Sequence, residues 1–507
     1  MPIRLFCFAS TALLLGLVSP LGAPPVKQEA KTAPANKQIN AKQKTAKAIQ
    51  VQGAKKSASI KTWQDALAAA YDFSPQIRTA RTEVRRTQES KKQAYAEWVP
   101  DASGYATYDI EKHNVKKGVA PNAQDQLRQP MGYGVRLKQN IFASGGTLAR
   151  TRKASDAIMA AELAMYDKES SIFLETLRAF LEVLVAKQLK EFYKQNAVLS
   201  QELFEQTKAR FEVGELRHTD TLIAQGKLAE SQAKYVEAVG RLAVAKTQLQ
   251  RFTGCVIDES ILVWPDDIQL HLPKNKDMLI QAVLKGNFSV LAAAKQESAS
   301  RHEVQSQLSG QMLPSVDVQA DAGRQFGNTR LGPASSSTRF KTNNGILKAT
   351  ASLNIPLPLG RQQSLVRVAE QDLNARRLNR QDVQLDARQR ALQAWYQMRS
   401  ARKGVERYKI ELYANERALE AMQEEYLQGT RTFVNVSEVQ ERKEEAYQNL
   451  MEHKKKAMLE GLTILYYTGN LTARTLKLRV AYYDPKAYGP WLGLAPQQDK
   501  PQLLTDQ

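Results

Sequence analysis

The chain is poor in residues that hold small folds together or perform catalysis. Its 507 residues include two cysteines, Cys7 and Cys255, and Cys7 falls in a leader segment. Cys255 then stands alone, which excludes an intrachain disulfide. Five scattered histidines and no cysteine cluster leave no ligand set for a structural zinc. Long apolar runs are missing too. The one mostly apolar stretch, 5–18, is too short for a membrane helix of about 20 residues. With Arg4 before it and Pro20 and Ala23 after it, this stretch reads as a signal peptide over 1–23. An exported chain without spanning helices can enter a membrane only through strands. No nucleophile–base arrangement, phosphate-cradling glycine loop or pocket of paired carboxylates is evident, so the sequence predicts neither an enzyme nor a cofactor. Asp266 and Asp267 read as solvated linker charge.

Charge, in contrast, is abundant and one-sided: 72 basic against 52 acidic residues, a net +20. Residues 24–61 hold nine lysines and one acidic residue among Ala, Gln, Pro and Asn. The segment 24–60 therefore reads as a disordered basic arm, either a solvated linker or a contact with anionic lipid or cell wall. The export signal argues against nucleic acid as its partner.

Internal repetition is the strongest signal. Pro100 recurs as Pro314, and Asn140-Ile141 as Asn354-Ile355, both 214 residues apart. Phe211-x-x-Gly214 recurs as Tyr426-x-x-Gly429, and Thr253-Gly254 as Thr468-Gly469, both at 215. The period is too long for a solenoid, so the chain is a duplicated unit. The copies are placed at 61–265 and 275–470, with a tail over 471–507.

Each copy reads helix, strand, loop, strand, very long helix, tight turn, shorter helix. Period-two alternation predicts strands at about 100–112 and 131–142, then 314–326 and 346–357, with polar loops near 114–130 and 328–344. The stretches 145–213 and 360–428 contain no proline and are long enough for about 100 Å of helix. Met398, Val405, Leu412, Leu419 and Tyr426 fall seven apart, with Ala401, Tyr408 and Met422 beside them, which is a coiled-coil seam. Gly214 and Gly429 suit left-handed helix ends, giving turns at 214–219 and 429–434. Thr219 and Thr432 are good helix-starting residues. The return helices span about half of the outgoing ones, so helices near 75–98 and 289–311 are expected to cover the remainder.

Four strands per chain, each with one apolar face, cannot close a transmembrane barrel, which needs about eight or more. An open edge is untenable in lipid. The chain is therefore expected to pool strands with other copies around a polar bore. The expected class is an α+β membrane protein, a β-barrel continued by a coiled-coil α-barrel. A periplasmic adaptor is the runner-up, but an adaptor has one helical hairpin, not a duplicated pair.

The segment Arg210-Phe211-Glu212-Val213-Gly214 through Thr219-Asp220, its counterpart Tyr426 to Asn435, and the closing Phe252-Thr253-Gly254 resemble the TolC family of outer-membrane efflux proteins. The resemblance runs from Trp63 to Gly469. It implies a homotrimer with a twelve-stranded barrel in the outer membrane and a twelve-helix barrel in the periplasm. The implied partners are a periplasmic adaptor protein and an inner-membrane transporter, in drug efflux, type I secretion or metal export. It further implies that Gly214 and Gly429 lie at the periplasmic tip, where Tyr426 and Arg431 tether to Thr219 and Asp220 on the first hairpin or a neighbour. Two aspartates that ring the family's constriction correspond to Asn435 and Glu438, so one carboxylate is lost and the other is kept in charge only.

Overall fold

In the computed structural model the described residues are 60–113, 126–262, 264, 272–331 and 338–485. The leader, the arm up to residue 59, Asp266 and Asp267 and the tail beyond 485 lie outside them. The elements follow the chain as α1 (Trp63–Phe73), α2 (Pro75–Ala96), β1 (Asp101–Tyr108), β2 (Glu111–His113), β3 (Gln126–Phe142), α3 (Gly146–Glu212) and α4 (His218–Thr253). After one turn of 3-10 helix at Glu259–Ile261, the order repeats as α5 (Lys276–Gly286), α6 (Phe288–Met312), β4 (Ser315–Leu331), β5 (Thr338–Asn354), α7 (Arg361–Leu427) and α8 (Phe433–Tyr467).

The strands form one antiparallel sheet in the order β1-β3-β4-β5, with β2 beside β3. Its register aligns the two copies face to face. Leu137 lies opposite Ala102 and Ala320, and Ala320 opposite Ala349. Continuing in steps of two, Val135, Gly104, Ala322 and Leu347 share that face, as do Met131 and Tyr108. The other face carries Arg136 paired to Asp321 at 2.7 Å and Asn140 donating to Asp317 at 3.0 Å. Met131, Tyr133, Val135, Leu347 and Leu353 are all at least half exposed in the single chain.

The strands reach further than alternation suggested. β3 starts at 126, β4 runs on to 331 and β5 begins at 338, all inside segments expected to be loop. The reason is backbone pairing: Arg128 has a strand partner on both sides, Glu111 and Thr329, and needs no apolar face to stay extended. The break between β1 and β2 lies beside Pro130, which has no N–H to donate, although Asp109 N still donates to its carbonyl at 2.9 Å.

Two 67-residue helices, α3 and α7, carry the remainder of the fold. At 1.5 Å per residue each is about 100 Å long. α4 and α2 pack along α3, α8 packs along α7, and α6 bridges α3 and α7. Ser298 donates to Asp156 at 2.6 Å, placing α6 beside the first part of α3, whereas the Ser200–Ser231 contact at 2.8 Å places α4 beside its second part. Each long helix is thus flanked by shorter ones end to end. The short helices α1 and α5 were not separated in the sequence. Pro75 breaks α1 from α2, and Asn287 breaks α5 from α6 while accepting from Val290 N at 3.0 Å.

The apolar core is a series of clusters along the rod. The largest joins α1 (Leu67, Tyr71), α3 (Phe173, Phe180), α4 (Leu249) and the start of the tail (Leu471). The heptad seam of α7 is buried at Met398, Ala401, Leu419 and Tyr426.

Candidate functional site: the two helix turns and the sheet

α3 and α7 end in the same way. Gly214 (φ +82°) and Gly429 (φ +76°) are left-handed, a conformation that a side chain makes costly. Gly214 N donates to Phe211 O and Glu215 N to Arg210 O, both at 2.9 Å. Gly429 N donates to Tyr426 O and Thr430 N to Glu425 O, both at 3.0 Å. These paired bonds satisfy the last carbonyls and reverse the chain within a few residues.

The return helices then start on an acceptor three residues in. Asp220 accepts from Arg217 N at 3.3 Å, so Arg217 begins α4, and Thr219, expected to start it, is an exposed second-position residue. Asn435 accepts from Thr432 N at 3.3 Å and from its hydroxyl at 2.8 Å. Asp220 and Asn435 are thus repeat-equivalent capping groups. Glu438, one turn on from Asn435, is exposed.

The tethers expected between the turns are not formed within one chain. Tyr426 is almost fully buried, with its hydroxyl 2.7 Å from Thr207 Oγ1. Arg210 donates to Tyr426 O at 2.9 Å, lies 5.3 Å from the Tyr426 ring and also pairs with Glu215 at 3.0 Å. Arg431 pairs with Glu425 at 2.8 Å. In the chain itself, therefore, the partners of Tyr426 are Thr207 and Arg210, and that of Arg431 is Glu425. The physical reason is reach: Thr207 and Arg210 lie one turn apart on the part of α3 that packs against the buried Tyr426. None of these three partners is singled out by the sequence as a contact of Tyr426 or Arg431. A signal was present, because Arg210 and Glu425 are equivalent positions of the two copies with opposite charge.

Further along the hairpins a polar layer joins α3, α4 and α8. Lys227 is 5% exposed and pairs with Glu441 at 2.7 Å and Glu230 at 3.2 Å. Lys234 pairs with Glu230 at 2.6 Å and Glu444 at 2.9 Å, and Glu444 also accepts from Asn196 at 3.1 Å. Burial opposes the charge on Lys234, but its hydrogen bonds to the two carboxylates outweigh that and raise its pKa. The hydrogen bond from Lys234 correspondingly holds Glu230 below its usual value.

Among the described residues no helix is long and apolar enough to cross a membrane. The extended apolar surface belongs to the sheet. The chain is thus a duplicated unit whose amphipathic sheet runs into helical hairpins with one arm about 100 Å long. The family described as outer membrane efflux protein matches residues 66–255 and 279–466, both copies, and the chain belongs to that family.

Outer membrane efflux protein BepC of Brucella suis biovar 1 is 23% identical over 446 residues, covering 86% of this chain and 93% of that protein. Outer membrane protein TolC of Escherichia coli K12 is 22% identical, covering 73% and 76%. The crystal structure of the CmeC outer membrane channel of Campylobacter jejuni superposes with a TM-score of 0.68 at 14% identity, covering 82% of this chain and 88% of that one. The protein is accordingly an outer-membrane efflux channel that extends into the periplasm. The adaptor reading is set aside, since the family match takes in both copies.

Proposed function

We propose that three copies of this chain assemble into a passive exit duct, a conduit and not an enzyme. It receives cargo from an inner-membrane transporter through a periplasmic adaptor. The observation that carries this reading is the sheet. Among the described residues β1 and β5 have no partner on their outer sides, yet one face carries an apolar band, Ala102, Leu137, Ala320 and Ala349 with Gly104, Val135, Ala322 and Leu347 beside them, across all four strands. Joining β5 of one copy to β1 of the next removes every edge, and three copies give twelve strands around a polar bore. The α3–α4 and α7–α8 hairpins then continue the bore as a twelve-helix barrel whose tip is the turns at Gly214 and Gly429.

The tethers from Tyr426 and Arg431 to Thr219 and Asp220 are assigned to neighbouring copies, in exchange for the bonds to Thr207 and Glu425 seen within one chain, and they close the tip at rest. Asn435 and Glu438 line the constriction in this reading, and three Glu438 carboxylates favour cations. The arm over 24–60 is either a solvated linker or a contact with anionic lipid or cell wall.

Planar-bilayer recording tests the duct. The purified protein is expected to conduct, and Arg431→Ser with Tyr426→Phe to raise single-channel conductance. Electrical silence ends the duct reading, and unchanged conductance in the double variant ends the tether assignment alone. Asn435→Asp should strengthen block by multivalent cations, and equal block removes that position from the constriction.

A further inference from the structure

α7 has three longitudinal faces. Ala387, Ala391 and Met398 are buried on one, and Leu378, Leu385, Tyr396 and Ile410 form an exposed apolar edge on another. Between them runs a ladder of arginines. Arg377, Arg388 and Arg399 are exposed and spaced eleven residues, three helical turns, so they share one face. Arg380 and Arg402 flank the ladder one turn on. Over 376–403 the helix holds eight basic and two acidic residues. Arg399 is braced 4.7 Å from the Trp395 ring.

The upper end of the ladder already holds a carboxylate. Glu297 of α6, 4% exposed, lies 3.0 Å from Arg380, 3.3 Å from Arg301 and 3.6 Å from Arg377. Those arginine side chains remain 38%, 64% and 49% exposed. Three guanidiniums around one carboxylate leave two positive charges whose forks fit further carboxylates.

We infer that this ladder is a docking strip for the carboxylate-bearing polymer of the periplasmic cell wall. A lipid headgroup layer is out of reach. The exposed apolar run continues through Ile355 and Leu357 to Leu359 and stops at the start of α7; Arg377 lies 16 residues beyond that start, about 24 Å along the axis, whereas headgroups add only about 5–8 Å to the hydrocarbon. From Arg377 to Arg402 the strip is about 38 Å long, which suits an extended polymer better than a single anion.

The test is co-sedimentation of the detergent-purified full-length mature protein with isolated, insoluble cell-wall sacculi. Binding is expected at ~0.05 M salt and its loss at ~0.5 M. Carboxyl-amidated sacculi should bind about tenfold less, as should the variant Arg377→Gln/Arg388→Gln/Arg399→Gln. A second variant, Arg388→Gln/Arg399→Gln/Arg402→Gln, spares the Glu297 cluster and should also bind less. Conductance should stay unchanged in both, which separates this strip from the duct. Absence of sacculus binding, binding by both variants equal to that of the unsubstituted protein, or a loss confined to anionic phosphatidylglycerol vesicles overturns the assignment. So does a loss produced only by deleting 24–58.

Discussion

Tyr426 and Thr207 show how one hydrogen bond can link the two copies of the repeat. Their hydroxyls are buried 2.7 Å apart, and Thr207 also donates to Leu203 O at 2.7 Å, so removing the threonine hydroxyl strands the phenol whereas removing the phenol leaves Thr207 its backbone partner. Tyr426→Phe or Thr207→Val alone should cost about 1–3 kcal/mol, while the double variant should cost less than the sum. Thermal unfolding of the four proteins measures this coupling, and strict additivity would show the contact to be idle. A second residue-scale expectation concerns Glu169, which accepts from Ala473 N at 2.7 Å beneath the tail. Burial raises its pKa above the ordinary carboxylate value of 4.5. Between that value and the raised one the folded state binds more protons than the unfolded state, so this group's contribution to stability falls as pH rises. Glu169→Gln should flatten the pH dependence of the melting temperature above pH 4.5, and an unaltered slope would assign it to other groups.

Elements are decided by a few positions. Gly429 at φ +76° lets α7 stop and reverse, and Gly429→Val should cost about 1–2 kcal/mol. Faster hydrogen exchange confined to the amides around 429–435 is the expected readout. The proline-free runs and heptads made the long helices legible, because period and length are local properties. The breaks at Ser74 and Asn287 were less legible, since each depends on where a short helix finds tertiary contact. Strand ends were misjudged for a related reason: the segment from Gln126 to Arg128 is held by ladders on both sides and not by its own pattern. In the largest apolar cluster, Phe180 is fully buried among α1, α3 and tail residues. Phe180→Ala should remove about 3–5 kcal/mol, visible in thermal unfolding.

The whole molecule is organised around a sheet with two faces of opposite character. Val135 and Thr350 lie on opposite faces, so an arginine at each distinguishes lipid from bore. Val135→Arg should destabilise the barrel by about 2–4 kcal/mol and Thr350→Arg far less, measured as heat-modifiable migration. Equal effects would mean that the apolar face does not meet lipid.

The sequence by itself determined the duplication, the amphipathic strands, the two long helices and their glycine ends, because offset, period and left-handed preference are written residue by residue. It did not determine which side chains meet at the turns. Tyr426 could not be assigned to Thr207 and Arg210 until the packing of the two copies against each other was known, whereas Arg431 meets Glu425 once the turn at Gly429 folds back. The same holds for the arginines gathered around Glu297: their spacing is visible in the chain, but only the approach of α6 to α7 turns that spacing into a site. Contacts between residues nearly 220 positions apart depend on how helices dock, and docking is a tertiary property.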